Sequence, residues 1–244
     1  MSAPEDCGLR CLLPFDDSDD EGSLPPKTTV AATEACVSTF DVAGRVQLLV
    51  RTEASEGTGF QIWPAAHSIL SFFQEEELKK PGTWRGKRVL ELGAGCGLAG
   101  LAISALGGHV TLTDLPIVLR LLQSNAEANA SAVARAGGTV AVAPLAWGNE
   151  QHAAELSSTT WDVILCADVV YRRELFTALA LSLSALCSPS TLVIFAHLKR
   201  WGWERDFWRL LRTCNFSALE EVWSEKDTRQ RRPVRIFTCK RAGG

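Results

Sequence analysis

The segment Val89-Leu-Glu-Leu-Gly-Ala-Gly-Cys-Gly-Leu-Ala-Gly100 constrains this chain more than any other. A short apolar run meets glycine at position 93 and passes at once into small helix-forming residues. Glycine permits the sharp turn and lets a ligand approach the backbone closely. Such a strand–turn–helix unit belongs to an open parallel sheet, in which ligands gather at the carboxyl ends of the strands.

The residues around it repeat the alternation. Strands are predicted at 88–92, 109–113, 139–143, 161–166 and 190–196, and helices at 98–106, 116–129, 173–187 and 203–213. Two further strands, 217–223 and 233–240, follow with no helix between them, so they can pair antiparallel. Upstream, 36–42 and 45–51 form a predicted hairpin around Ala43-Gly44, and 65–78 a helix closed by Pro81-Gly82. The expected fold is α/β: a doubly wound, Rossmann-like seven-stranded sheet, mostly parallel with a C-terminal antiparallel pair, plus an N-terminal β-hairpin. It fills one domain, 35–244.

Residues 1–34 read as a disordered acidic leader. Residues 1–23 carry a net −6, against −3 for the whole chain. Four prolines interrupt any helix, and too little apolar surface is present to offset the entropy of ordering. The leader is expected to be dispensable for ligand binding. Residues 224–244 are basic, at +5. No apolar run is long enough to span a membrane, and no apolar signal sequence stands at the start. The eight cysteines lack metal or disulfide spacing. No metal site is expected, and reduced thiols point to the cytoplasm, with the nucleus as a second compartment.

The glycine segment alone leaves two ligands open. Gly95-Cys-Gly97-Leu-Ala-Gly100, with Asp114 further on, also satisfies the dinucleotide pattern. Three features favour S-adenosyl-L-methionine over NAD. Glu91 places an acid inside the strand, where a cationic amino-acid cofactor has use for one. The chain lacks a second substrate domain. The terminal antiparallel pair is foreign to dinucleotide domains. Asp114 would then accept from ribose hydroxyls, with Gly93 to Gly95 lying along the methionine part.

Glu91-Leu-Gly-Ala-Gly-Cys-Gly97, Thr113-Asp-Leu-Pro116, Leu145-Ala-Trp-Gly148 and Ala167-Asp-Val-Val-Tyr171 resemble the seven-β-strand methyltransferases. With Gly59-Phe-Gln-Ile-Trp-Pro-Ala-Ala66, the pattern is similar to the protein-lysine methyltransferase-like family, often called family 16, over about residues 45–240. Pro64 departs from the Asp that many lysine-modifying members carry after the tryptophan. The resemblance implies cofactor contacts at Trp63, Gly93, Ala94, Gly95, Asp114, Trp147 and Ala167; Glu91, read from its place in the strand, is expected to serve the cofactor by direct contact or by indirect support. It implies catalytic roles for Asp168, which would orient the incoming ammonium, and Tyr171, which would shape its channel. The implied partner is a lysine-bearing protein substrate, a chaperone or a translation factor, met by a monomeric enzyme. Nucleic acid is disfavoured because Ala-Asp-Val-Val-Tyr stands where amide- and adenine-modifying enzymes carry Asn/Asp-Pro-Pro-Tyr/Phe. The alternatives are methylation of a nucleic acid or small molecule, and a non-catalytic cofactor-binding partner of chaperones or translation factors. Phe207, Trp208 and Leu211 read as core, His197 as structural, and Trp201 and Trp203 as candidates for the substrate mouth.

Overall fold

A computed structural model describes residues 35–225 and 233–242. The acidic leader and, within the basic stretch, residues 226–232 and 243–244 lie outside the described residues. In chain order the elements are β1 (Cys36–Val42), β2 (Val46–Thr52), α1 (Pro64–Lys79), β3 (Arg88–Leu92), α2 (Leu98–Ala105), β4 (His109–Asp114) and α3 (Leu119–Arg135). Then come β5 (Thr139–Pro144), α4 (Glu150–Ser157), β6 (Val163–Ala167), α5 (Phe176–Leu186), β7 (Leu192–Leu198), α6 (Glu204–Thr213), β8 (Glu220–Ser224) and β9 (Val234–Lys240).

The main sheet has seven strands in the order β5-β4-β3-β6-β7-β9-β8. The five strands from β5 to β7 run parallel, and β9 inserts antiparallel between β7 and β8. This is the doubly wound sheet with a terminal antiparallel pair that the alternation predicts. The chain steps from β3 out to β5, then back across β3 to β6. That reversal opens a crevice at the carboxyl ends of β3 and its neighbours.

Both faces are covered. Phe73, Leu101 and Leu121 pack with the hairpin, α1, α2 and α3 on one side. Leu183, Phe195 and Phe207 pack with α4, α5 and α6 on the other. The two-residue period of β3 sends Leu90 and Leu92 to the second face, and Val89 and Glu91 toward α2. Helix α2 is buried along its whole length. Gly100 makes that possible, since a Cβ there would lie 2.3 Å from Leu112 Cδ2.

The hairpin is tied to the body by two asparagines one helical turn apart on α3. Asn125 Oδ1 accepts from the Arg51 amide and its Nδ2 donates to the Arg51 carbonyl, each at 2.9 Å. Asn129 does the same for Leu49 at 2.9 and 2.8 Å. The two side chains act as a surrogate strand along the open edge of β2.

Several elements differ from the sequence expectation. Helix α4 falls in a stretch to which the sequence pattern assigns no element. Asn149 caps it by accepting from the His152 amide, and only Ala153 and Leu156 are buried, so its apolar period is too sparse to read. Helix α3 begins at Leu119 rather than 116 and runs on to Arg135 rather than ending near Asn129. Asn129 stands at the expected end, but its amide serves the hairpin and the helix runs on past it. Residues 173–175 form a 3-10 turn ahead of α5.

Candidate active site

A cavity of about 590 Å³ opens across the carboxyl ends of the central strands. Its floor is the turn after β3. Gly93 has φ +67°, and a Cβ there would lie 3.0 Å from the Trp147 indole and 3.2 Å from Val169 Cγ1. Glycine therefore keeps the floor open where the indole ring lies against it. The Ala94 amide donates to the Thr113 carbonyl at 2.9 Å, locking the turn to β4.

Asp114 ends β4 and faces the cavity. Its Oδ2 accepts from the Gly95 amide and its Oδ1 from the Leu115 amide, both at 2.7 Å. A carboxylate offers about four acceptor positions, so two lone-pair directions remain for ligand hydroxyls. Burial pushes the Asp114 carboxyl up, and the two amides only partly offset it. A ligand that donates to this carboxylate meets an acceptor poorly solvated by water.

Glu91 sits elsewhere. It is buried below the turn, and its Oε2 accepts from the Gly100 amide at 2.8 Å in the first turn of α2. Burial pushes its carboxyl up to about 8; the Gly100 amide works against this and the Asp114 charge adds to it. Glu91 supports the helix that frames the turn and does not line the cavity. Ala94 does not line it either.

The structure brings Trp63, Gly93, Gly95, Asp114, Trp147 and Ala167 around one cavity. Trp63 immediately precedes α1, and its Nε1 donates to the Thr58 carbonyl at 3.0 Å.

The other end of the cavity holds Asp168, Tyr171 and Arg200, and Glu204 is buried behind them; sequence reasoning assigned neither Arg200 nor Glu204. Asp168 follows β6 with φ +60°, an uncommon conformation held by its amide donating to the Ala196 carbonyl at 2.8 Å. Its carboxylate is clamped by Arg200, with Nη1 to Oδ1 at 2.7 Å and Nη2 to Oδ2 at 2.6 Å. The guanidinium carbon lies 5.5 Å from the Trp63 ring centroid and 6.0 Å from that of Trp201. Trp201 in turn stacks on Trp203 at 4.8 Å. Glu204 Oε1 accepts from the Arg200 amide at 2.8 Å and the Trp201 amide at 3.2 Å. Its Oε2 lies 3.2 Å from His197 Nε2. Burial pushes Glu204 up, but His197 and the two amides outweigh it and hold the carboxyl below its usual range. His197 is thus buried behind the site. Burial, then the Asp114 charge, pushes the Tyr171 phenol up, so it stays protonated. The available signal for Arg200 was its place just past β7, whose neighbour β6 is followed at once by Asp168.

Sheet order, glycine turn and end-of-strand carboxylate define the Rossmann-like methyltransferase fold. Solved structures agree on the fold. The 16S rRNA methyltransferase RsmC of T. thermophilus, solved with AdoMet and guanosine, superposes with TM-score 0.61 at 18% identity, over 85% of this chain and 51% of that one. The Synechocystis magnesium protoporphyrin IX methyltransferase with bound SAM gives 0.53 at 18% identity, over 76% and 87%.

Residues 43–214 match the lysine methyltransferase family, and the chain belongs to it. Among curated relatives, EEF1A lysine methyltransferase 3 of Xenopus tropicalis is 37% identical over 80% of this chain and 79% of its own length. Protein N-lysine methyltransferase METTL21A of Mus musculus is 33% identical over 72% and 77%, and that of Danio rerio 31% over 92% and 96%. The chain is an S-adenosylmethionine-dependent protein-lysine N-methyltransferase. The residues present fit that cofactor. The flat floor at Gly93, the Trp147 indole and the spare lone pairs of Asp114 suit a ribose with a planar base. Among the described residues no acid–histidine–cysteine cluster could hold a metal, and no helix is long and apolar enough to cross a membrane.

Proposed function

We propose that Asp168, Tyr171, Trp63 and Trp201 form the acceptor half of the site, and that the acceptor is a lysine on the surface of EEF1A. One observation carries the reading: this end of the cavity already holds a cation, flanked by two indoles against a buried carboxylate. Carboxylate and aromatic faces together select alkylammonium groups. EEF1A is the protein named for relatives of this chain.

The cofactor supplies an activated methyl group when bound, and Gly93, Gly95, Asp114, Trp147 and Ala167 would hold it. The protein's own part is alignment and exclusion of water. Asp168 draws the ammonium in and fixes its direction. The indoles then strip water from it, which lowers the lysine pKa and lets the proton leave to solvent. Tyr171, kept protonated, shapes the channel and can donate a hydrogen bond, but it does not serve as a base.

The rim suits a macromolecule. Leu115 and Ile117 line the cavity next to Asp114 and are 48% and 73% exposed, an apolar ledge at its mouth. The cytoplasm and nucleus fit the buried thiols. Burial pushes Cys96, Cys187 and Cys239 each up to about 12, so these cysteines are inert in a reducing compartment.

The test incubates the purified chain with methyl-labelled S-adenosylmethionine and EEF1A, then maps the label by mass spectrometry. Label on an EEF1A lysine is the expected result. Label that appears in added RNA and on no protein lysine overturns the reading.

A further inference from the structure

We infer that Arg200 is an internal stand-in for the substrate ammonium, and that a lysine gains the acceptor position only by displacing it from Asp168. This rests on the reading of Asp168 as the acceptor carboxylate and adds how access to it is controlled.

The geometry is that of an occupied cation site. Asp168 is buried, its side chain 3% exposed, and both its oxygens are committed to Arg200. Bidentate guanidinium–carboxylate pairs are among the stronger charge-assisted contacts. The guanidinium lies over Trp63 and Trp201, the two rings that would embrace an incoming ammonium. An ammonium approaching Asp168 therefore meets an equal charge already in place. Repulsion between like cations makes simultaneous occupancy costly, so the two compete for one carboxylate.

The backbone at Arg200 is held independently of the guanidinium, which besides Asp168 reaches the Leu198 carbonyl at 3.5 Å. Glu204 Oε1 holds the Arg200 and Trp201 amides, and the His197 contact holds Glu204. The Arg200 side chain is 17% exposed, so it borders solvent. The arginine also does what an empty pocket could not. It neutralises a buried carboxylate that would otherwise lack a counter-ion between turnovers. A guanidinium is delocalised and stays protonated, so it can rest there without being methylated. Selectivity follows: a ligand enters only if it carries its own cation to exchange for this one.

The test needs neither cofactor nor protein substrate. Butylammonium, which carries the lysine head group, is titrated into wild type, Arg200→Ala and the Arg200→Ala/Asp168→Asn double variant, followed by calorimetry and tryptophan fluorescence. Arg200→Ala is expected to bind it at least tenfold more tightly than wild type, and the double variant to lose that gain. Equal binding by wild type and Arg200→Ala, or weaker binding by the variant, overturns the inference.

Should Arg200→Ala not fold, Arg200→Lys serves instead, since it keeps a cation beside Asp168. It is then expected to methylate itself at position 200. The lysine nitrogen, its proton given up to water, bonds to the methyl carbon as the carbon–sulfur bond breaks and its electron pair stays on sulfur. Peptide mass spectrometry reads the added methyl groups. A folded Arg200→Lys protein that binds cofactor and gains no methyl at 200 overturns the inference. Cation exchange at Asp168 without any methylated EEF1A lysine would uphold the gate and reject the substrate assignment, so the two failures are distinct.

Discussion

Glu91 Oε2 accepts the Gly100 amide at 2.8 Å across the interface between β3 and α2, buried beneath the glycine turn. A Cβ on Gly100 would lie 2.5 Å from that same oxygen, so residue 100 must be small for the contact to form. The acid thus fixes where the helix begins, and through it where Gly93 and Gly95 lie.

This predicts a pH dependence of stability. Burial holds the Glu91 carboxyl up near about 8, against 4.5 for the free side chain. The folded protein therefore keeps a proton that the unfolded chain releases. Glu91's contribution is fully present below the unfolded value and fades as pH rises through the folded one. Melting temperature should fall across that window in wild type. In Glu91→Gln, which can still accept from Gly100, the curve should flatten and cross above wild type at the alkaline end. Glu91→Ala strands the amide and should cost about 1–3 kcal/mol at acidic and neutral pH, and less as pH rises through the folded value. Thermal melts across the pH range check both.

Asp114 should govern cofactor affinity. Asp114→Ala removes the acceptor of the Gly95 and Leu115 amides and the spare lone pairs, and should weaken S-adenosylmethionine binding by about 1–3 kcal/mol in calorimetry. Because burial raises this carboxyl, wild-type affinity should decline on acidification sooner than an ordinary aspartate would dictate. NAD should not bind.

The Asn125 bridge should be worth more to local than to global stability. Asn125→Ala leaves both Arg51 backbone groups and the Cys96 carbonyl without their amide partner. A loss of about 1–3 kcal/mol is expected. Hydrogen exchange should show the Arg51 amide losing protection before β3 or β6 does. An unchanged exchange rate at Arg51 would show that the hairpin docks by packing alone.

Ile117 offers a test of the rim. At 73% exposed it contributes little to folding. Ile117→Asp should leave the melting temperature and cofactor affinity near wild type and raise KM for the protein acceptor severalfold, with kcat little altered. A lowered kcat at unchanged KM would place Ile117 inside the catalytic geometry rather than on a docking ledge.

The strand–helix alternation and the glycine turn were legible because both rest on local, strongly patterned signals: short apolar strands, glycines at strand ends, and Asp114 one strand over. The position of Glu91 was legible as an acid in a strand, but not its direction. Alternation along β3 turns it toward α2 and away from the cavity, a fact that appears only once Gly100 is known to pack there. The sequence pattern places the end of α3 at Asn129, six residues early, because the amide of Asn129 is satisfied by β2, distant in sequence. Arg200 stayed hidden for a similar reason. Nothing local marks an arginine as the partner of a carboxylate 32 residues earlier. Only the parallel pairing of β6 with β7 brings the two strand ends together.

The account stands most directly on Asp168. In Asp168→Asn the side chain keeps its shape and loses the charge that would draw in the ammonium, while the cofactor end of the cavity at Asp114 and Gly93 is untouched. The measurement pairs calorimetry for S-adenosylmethionine with single-turnover methylation of a lysine acceptor. The predicted result is cofactor affinity close to wild type and a transfer rate more than tenfold lower, a barrier higher by at least about 1.4 kcal/mol. Wild-type affinity together with a wild-type transfer rate would contradict the account and move the acceptor site away from Asp168.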